Sequence, residues 1–206
     1  MLPQIQKVQQ LSESYCGPAV LQMLLSAVGE EVTQEKIVDV LGLADRIEEH
    51  GVRPDQLGLA CVLLAPDHKF WYKYQATLDD VKTVLDTGFA VGVEWQSLFY
   101  DSEEEESEDY DYEEPDSGHY SIISFFDEQE DQLIMVDPYR YFARQDRIFD
   151  TEMFLRRWWD TNEVRDQRTG KSHIVTDERL LFFVTPNEVF FPREYGFKVF
   201  QGQRDS

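Results

Sequence analysis

The chain has 206 residues, a formal charge of −22, and 42% hydrophobic and 14% aromatic residues. That is enough apolar material for one core-bearing domain and excludes a wholly disordered chain, while the acidity argues against a nucleic-acid partner. Two cysteines make no disulfide framework, and the four histidines, at 50, 68, 119 and 173, lack metal-ligand spacing, so neither a structural metal nor another cofactor is expected.

The opening residues, MLPQIQKVQQ, lack the apolar core of a secretory signal. No stretch approaches the roughly 20 apolar residues that cross a bilayer. The expectation is a soluble, cytoplasmic protein. Residues 17–28, GPAVLQMLLSAV, are apolar almost all round, the pattern of a buried helix. Pro18 suits its first turn, Ser12 or Ser14 is expected to cap it, and Gly29 to end it. Thr33 opens a second helix, with Ile37, Val40 and Leu41 at helical spacing and Gly42 as terminator. A third is expected from Pro54 to about Cys61. Residues 70–74 read as a short extended piece. Thr77 opens the clearest helix, striped by Leu78, Val81, Val84 and Leu85 and stopped by Gly88.

From Phe89 the period becomes that of strands, at 89–95, 119–126 and 132–136, the last two joined by a loop at 127–131. Phe154, Trp158 and Trp159 belong to a short helix capped by Thr151, with the tryptophans read as packing residues. Residues 179–185 form one more buried strand. Helices first and an antiparallel sheet afterwards predict an α+β domain of two layers. Between the strands, residues 101–116 carry eleven acids and no base, half of the net charge. Such a run reads as a solvated loop. Because it ends just before His119, it is also placed to overhang a cleft there and draw in a cationic substrate.

The candidate chemistry starts at Cys16. Unpaired N–H groups at a helix start favour a thiolate, the reactive form of cysteine, although an inert buried thiol fits the local sequence equally well. His119, opening a strand, is held as a general base would be, or is simply a strand-end histidine. Asp137 ends the next strand. If the two strands pair, it returns to the level of His119, where a carboxylate can orient the ring; an Asp-Pro turn is the plainer alternative. Gln10, six residues before Cys16, can offer its amide to an oxyanion beside the Cys16 backbone N–H. Gln9 competes for that role. Each feature is weak alone. The order Gln, Cys, His, Asp is what carries the reading.

With Cys-Gly-Pro-Ala at 16–19, Gly-His-Tyr at 118–120, Val-Asp-Pro-Tyr at 136–139, the helix–strand pair over 78–95, and Phe154 with Trp158, the sequence resembles the C39-like branch of papain-like cysteine peptidases. This is the bacteriocin-processing, double-glycine leader branch, and the resemblance runs from about residue 5 to 185. It implies a papain-like fold over 1–186 with the acidic run as an insert, leaving 187–206 as a C-terminal tail. It implies an oxyanion-hole Gln10, nucleophile Cys16, base His119 and orienting Asp137, acting on a peptide or protein substrate, with cleavage after a double glycine. The departures are Tyr139-Arg-Tyr-Phe where the family often has a glycine, the acidic insert, and the tail. No transporter segment follows within these residues, so a fused exporter is not expected. A peptide-binding module that does not cut, and an acyl transferase using the same thioester, are the competing functions. Cys61, in LACVLL, is expected to be buried, and His50, His68 and His173 receive no role. The oligomeric state is left open.

Overall fold

A computed structural model describes residues 4–97, 118–165 and 169–202. The acidic run at 101–116 lies outside the described residues. Helix α1, Cys16–Ala27, is buried over nearly its whole length, as its all-round apolar sequence demands. Its N-cap is Tyr15, which makes no side-chain cap, so neither Ser12 nor Ser14 fills the expected role. The Ser12 hydroxyl is committed elsewhere, to Glu48 Oε1 at 2.7 Å. Helix α2, Gln34–Val40, is capped by Thr33 as expected. A one-turn helix, α3, Ile47–His50, precedes α4, Pro54–Leu64, which runs a turn beyond Cys61. Strand β1, His68–Lys73, leads to α5, Leu78–Asp86. The start of α5 is fixed reciprocally, Thr77 N–H donating to Asp80 Oδ2 at 2.9 Å and Asp80 N–H to Thr77 Oγ1 at 3.3 Å.

Strands β2, Val91–Gln96, β3, Gly118–Asp127, and β4, Gln132–Val136, match the strand pattern in the sequence closely. Strand β5, Asp146–Asp150, was not foreseen. Helix α6, Thr151–Arg157, is capped by Asp150, whose carboxylate accepts from the N–H groups of Glu152 and Met153; Thr151 is the first helical residue rather than the cap. Strands β6, Trp159–Arg165, and β7, Ser172–Glu178, form a separate hairpin. Strand β8, Leu181–Pro186, and the two-residue β9, Lys198–Val199, complete the chain.

The main sheet has the order β5-β4-β3-β2-β8-β1-β9, antiparallel throughout. Alternation along β3 divides the core. Tyr120 and Ile122 pack with α1, α2 and α4, and Ile123 packs with α5 and α6 on the other face. Helices therefore cover both faces, where two layers were expected. The chain beyond residue 187 is no loose tail among its described residues. Phe200 is in the first core, its N–H bonded to the Phe70 carbonyl at 2.8 Å. Its ring lies so close to Gly58 that a Cβ there would approach to 2.7 Å. Phe191 and Phe197 stack edge-on against Phe183 at 5.1 and 5.3 Å. Among the described residues no helix is long and apolar enough to cross a membrane.

Candidate active site

Pairing of β3 with β4 sets Ile122 opposite Val136, which carries Asp137 back towards the start of β3. There Asp137 Oδ1 lies 2.8 Å from His119 Nε2. Both side chains are essentially inaccessible, at 1% and 2% exposure. His119 also shares a hydrogen bond with Cys16 at the start of α1. Cys16 keeps 9% exposure, against 0% for Cys61. The next residue, Gly17, leaves room for the Tyr120 ring, which a Cβ would meet at 3.3 Å.

Burial opposes charge on His119, but the carboxylate of Asp137, with help from the Cys16 contact, raises its pKa to about 10. The same burial pushes Asp137 up, and it is outweighed in turn. The imidazolium, the Arg147 guanidinium and the Tyr139 N–H hold Asp137 at about 2. Arg147 Nη1 donates to Oδ2 at 2.7 Å, and the Tyr139 N–H donates to Oδ1 at 2.8 Å. Both carboxylate oxygens are thus engaged, and the ring is fixed in orientation as an ionised partner. Arg147 went unnoticed in the sequence. It reaches Asp137 only because β5 pairs with β4, placing it opposite Met135, and its guanidinium is seated 3.8 Å above the Phe142 ring.

Of the two competitors, Gln10 is buried and Gln9 is exposed. The Gln10 backbone N–H donates to the carbonyl of Pro138, next to Asp137, at 2.9 Å. Its side-chain Nε2 donates to the carbonyls of Ser12 and Glu13 at 2.8 and 3.1 Å, and its Oε1 is buried without a partner. A second glutamine, Gln34 on α2, grips the backbone on both sides of Gln10. It accepts from the Leu11 N–H at 3.1 Å and donates to the Gln9 carbonyl at 2.9 Å. The sequence gives no local signal for this clamp, because its partners lie 23 and 25 residues away.

A cysteine at the head of the buried helix, bonded to a histidine that an aspartate steadies, is the constellation on which the sequence profile of the Peptidase_C39 like family can be judged, and that profile matches residues 3–165. The chain belongs to this family. It is a cysteine peptidase of the C39 type. No curated protein matches the chain in sequence. Among the solved structures that share its fold are three peptidases. A double glycine motif protease from an AMS/PCAT transporter, in complex with the leader peptide, is 16% identical with a TM-score of 0.55, over 90% of this chain and 94% of that one. The peptidase domain of Streptococcus ComA, a bifunctional ABC transporter of a quorum-sensing pathway, is 17% identical with a TM-score of 0.56, over 89% and 100%. A C39-like peptidase from Bacillus anthracis is 15% identical with a TM-score of 0.60, over 90% and 96%.

The remaining candidates of this C39 peptidase lie apart from that corner. Cys61 is enclosed in the α4 core, and burial pushes its thiol up to about 12, the behaviour of an inert cysteine. His50 and His173 are exposed, and His68 sits on β1 at 3.6 Å from Glu30.

Proposed function

We propose that this C39 peptidase hydrolyses a peptide bond with Cys16 as nucleophile, His119 as general acid and base, Asp137 as the group that orients His119, and Gln10 with the Cys16 backbone N–H as oxyanion donors. The Cys16–His119–Asp137 chain of hydrogen bonds supports this reading most directly. The thiolate adds to the scissile carbonyl carbon, and the oxygen takes up the negative charge. His119 gives its proton to the leaving nitrogen, the C–N bond breaks, and a thioester remains on Cys16. Water then passes a proton to His119 as it attacks the thioester, and the acid product leaves as the thiolate is restored. To serve the oxyanion, the Gln10 amide gives up one of its two carbonyl contacts, the one to Glu13 being longer at 3.1 Å.

A module that only binds peptides has no need of a histidine–carboxylate pair held out of water, so that pair favours hydrolysis over binding alone. By extension from the double glycine proteases of like fold, the substrate is a peptide with two glycines before the cleaved bond. Both cysteines are free thiols, which suits a reducing compartment such as the cytoplasm. The test is cleavage of a peptide library by wild type and by Cys16→Ala. Wild type should cut and label with iodoacetamide at Cys16. Cleavage that survives in Cys16→Ala would refute the reading.

A further inference from the structure

Strand β5 is the edge of the main sheet beside β4. Side chains of a strand alternate between its faces. Here Asp146, Ile148 and Asp150 are exposed, while Arg147 and Phe149 are covered. An apolar side chain at the inward position of Arg147 would pack without electrostatic cost. A guanidinium there, its side chain only 11% exposed, carries a desolvation cost that pairing must offset. It is seated on ring faces, 3.8 Å above Phe142 and 4.6 Å from Phe149. From that seat it is aimed at the carboxylate that orients His119. A cation kept inward on an edge strand, against that one carboxylate, points to work beyond packing.

The donors on Asp137 are divided between its oxygens. His119 Nε2 and the Tyr139 N–H meet Oδ1, each at 2.8 Å, and Arg147 Nη1 meets Oδ2 at 2.7 Å. Without that guanidinium the buried carboxylate would turn to find a new donor for Oδ2, carrying Oδ1 off the Nε2 axis. The guanidinium also shares the carboxylate's charge. The more of that charge His119 meets alone, the more firmly the imidazolium keeps its proton. Burial works against the charged ring, but Asp137 and the Cys16 contact raise His119 to about 10. An acid held so firmly is slow to protonate a leaving group, and a cation on the far oxygen counters this. The groups around the pair are Cys16 from α1, Tyr139 from the turn after β4, Arg147 from β5 and, over the neighbouring Gly118, Asp160 from β6. Glu94 on β2 is in register with Tyr120, one residue along β3, and Asp146 on β5 is paired with Lys7 at 2.8 Å.

Building on the peptidase reading, we propose that Arg147 is a positioning residue of the reaction. Acting through Asp137, it aligns the carboxylate with His119 and shares its charge, so that His119 releases its proton to the leaving nitrogen.

The probes are a quenched peptide with two glycines before the cleaved bond and the p-nitrophenyl ester of the same acyl part. The amide nitrogen must take the His119 proton as the C–N bond breaks, whereas p-nitrophenolate leaves as an anion and needs none. In Arg147→Met, kcat/KM for the peptide should fall about tenfold to a hundredfold, and for the ester by less than about threefold. The alkaline limb of the peptide's pH profile should move up by about one pH unit, because the imidazolium no longer competes with a guanidinium for Asp137. Arg147→Lys, which returns a cation to Oδ2, should restore the wild-type limb. Arg147→Gln keeps a donor and loses the charge, and should show the same upward shift even where Arg147→Met does not fold. Peptide and ester rates that fall together in a folded variant, or an alkaline limb that stays at its wild-type position, overturn the proposal. If wild type turns over neither probe, the peptidase reading falls, and the role of Arg147 falls with it.

Discussion

Strand β3 has a buried carboxylate on each side, Asp137 at the end of β4 and Glu94 on β2, and the two respond to burial in opposite ways. Burial pushes both pKa values up. Asp137 is nevertheless held at about 2, because an imidazolium and a guanidinium meet it and both its oxygens are bonded. Glu94 rises to about 7, because burial outweighs its hydrogen bonds to neutral Tyr120 and Asn162, and Asp177 adds to the rise. Desolvation alone therefore does not decide whether a buried acid is a fixed anion or a proton carrier. The charges brought in by neighbouring strands decide it.

The largest expected effect removes the anionic partner of His119, the proposed base. Asp137→Asn should lower kcat by up to about 10⁴-fold with the fold retained, because the amide no longer fixes the ring tautomer or stabilises imidazolium. Wild-type turnover in that variant would mean that the contrast between the two carboxylates has no catalytic meaning. Arg147→Met takes the second cation from Asp137 and should cost about 3 kcal/mol of stability in urea denaturation. The sign with pH is defined. Asp137 is depressed from an ordinary carboxyl value of 3.8 to about 2, so its contribution is present above pH 3.8 and is lost as pH falls through about 2. In Arg147→Met that loss should begin at a higher pH.

Next comes the oxyanion side. Gln10→Ala should slow turnover by about 3 kcal/mol of barrier with little change in KM. Gln34→Leu should cost on the order of tenfold in kcat through misplacement of Gln10. If Gln34 acts by positioning Gln10, it should add little in the Gln10→Ala background, and a double-mutant cycle reads this directly. The smallest effect belongs to Glu94. Raised from 4.5 to about 7, it contributes stability below pH 4.5 that is lost as pH rises through about 7. Denaturation midpoints should therefore fall between those values in wild type and stay flatter in Glu94→Gln.

Much of this arrangement was legible in sequence. The apolar helix behind Cys16, the helix start at Thr77 and the 127–131 loop are local patterns with local causes, whereas Cys16, His119 and Asp137 were linked by their order along the chain and by the family resemblance. What was hidden depends on distant pairing. Strand β5 reads DRIFD, with acids at both ends, and becomes a strand only against β4. The β6–β7 hairpin is too rich in charge to look like a strand pair, although its acids are drawn inward to Glu94. Asp150 rather than Thr151 caps α6 because its carboxylate reaches two N–H groups at once. Gln34 resembled any helix-start residue, since its meaning lies in a backbone more than twenty positions upstream.

The placement of Phe200 has a bearing on the head of α1. Its ring fills the space over Gly58 on α4, and α4 packs on the helix that begins with Cys16. A side chain far downstream of the thiol thus steadies the helix that carries it.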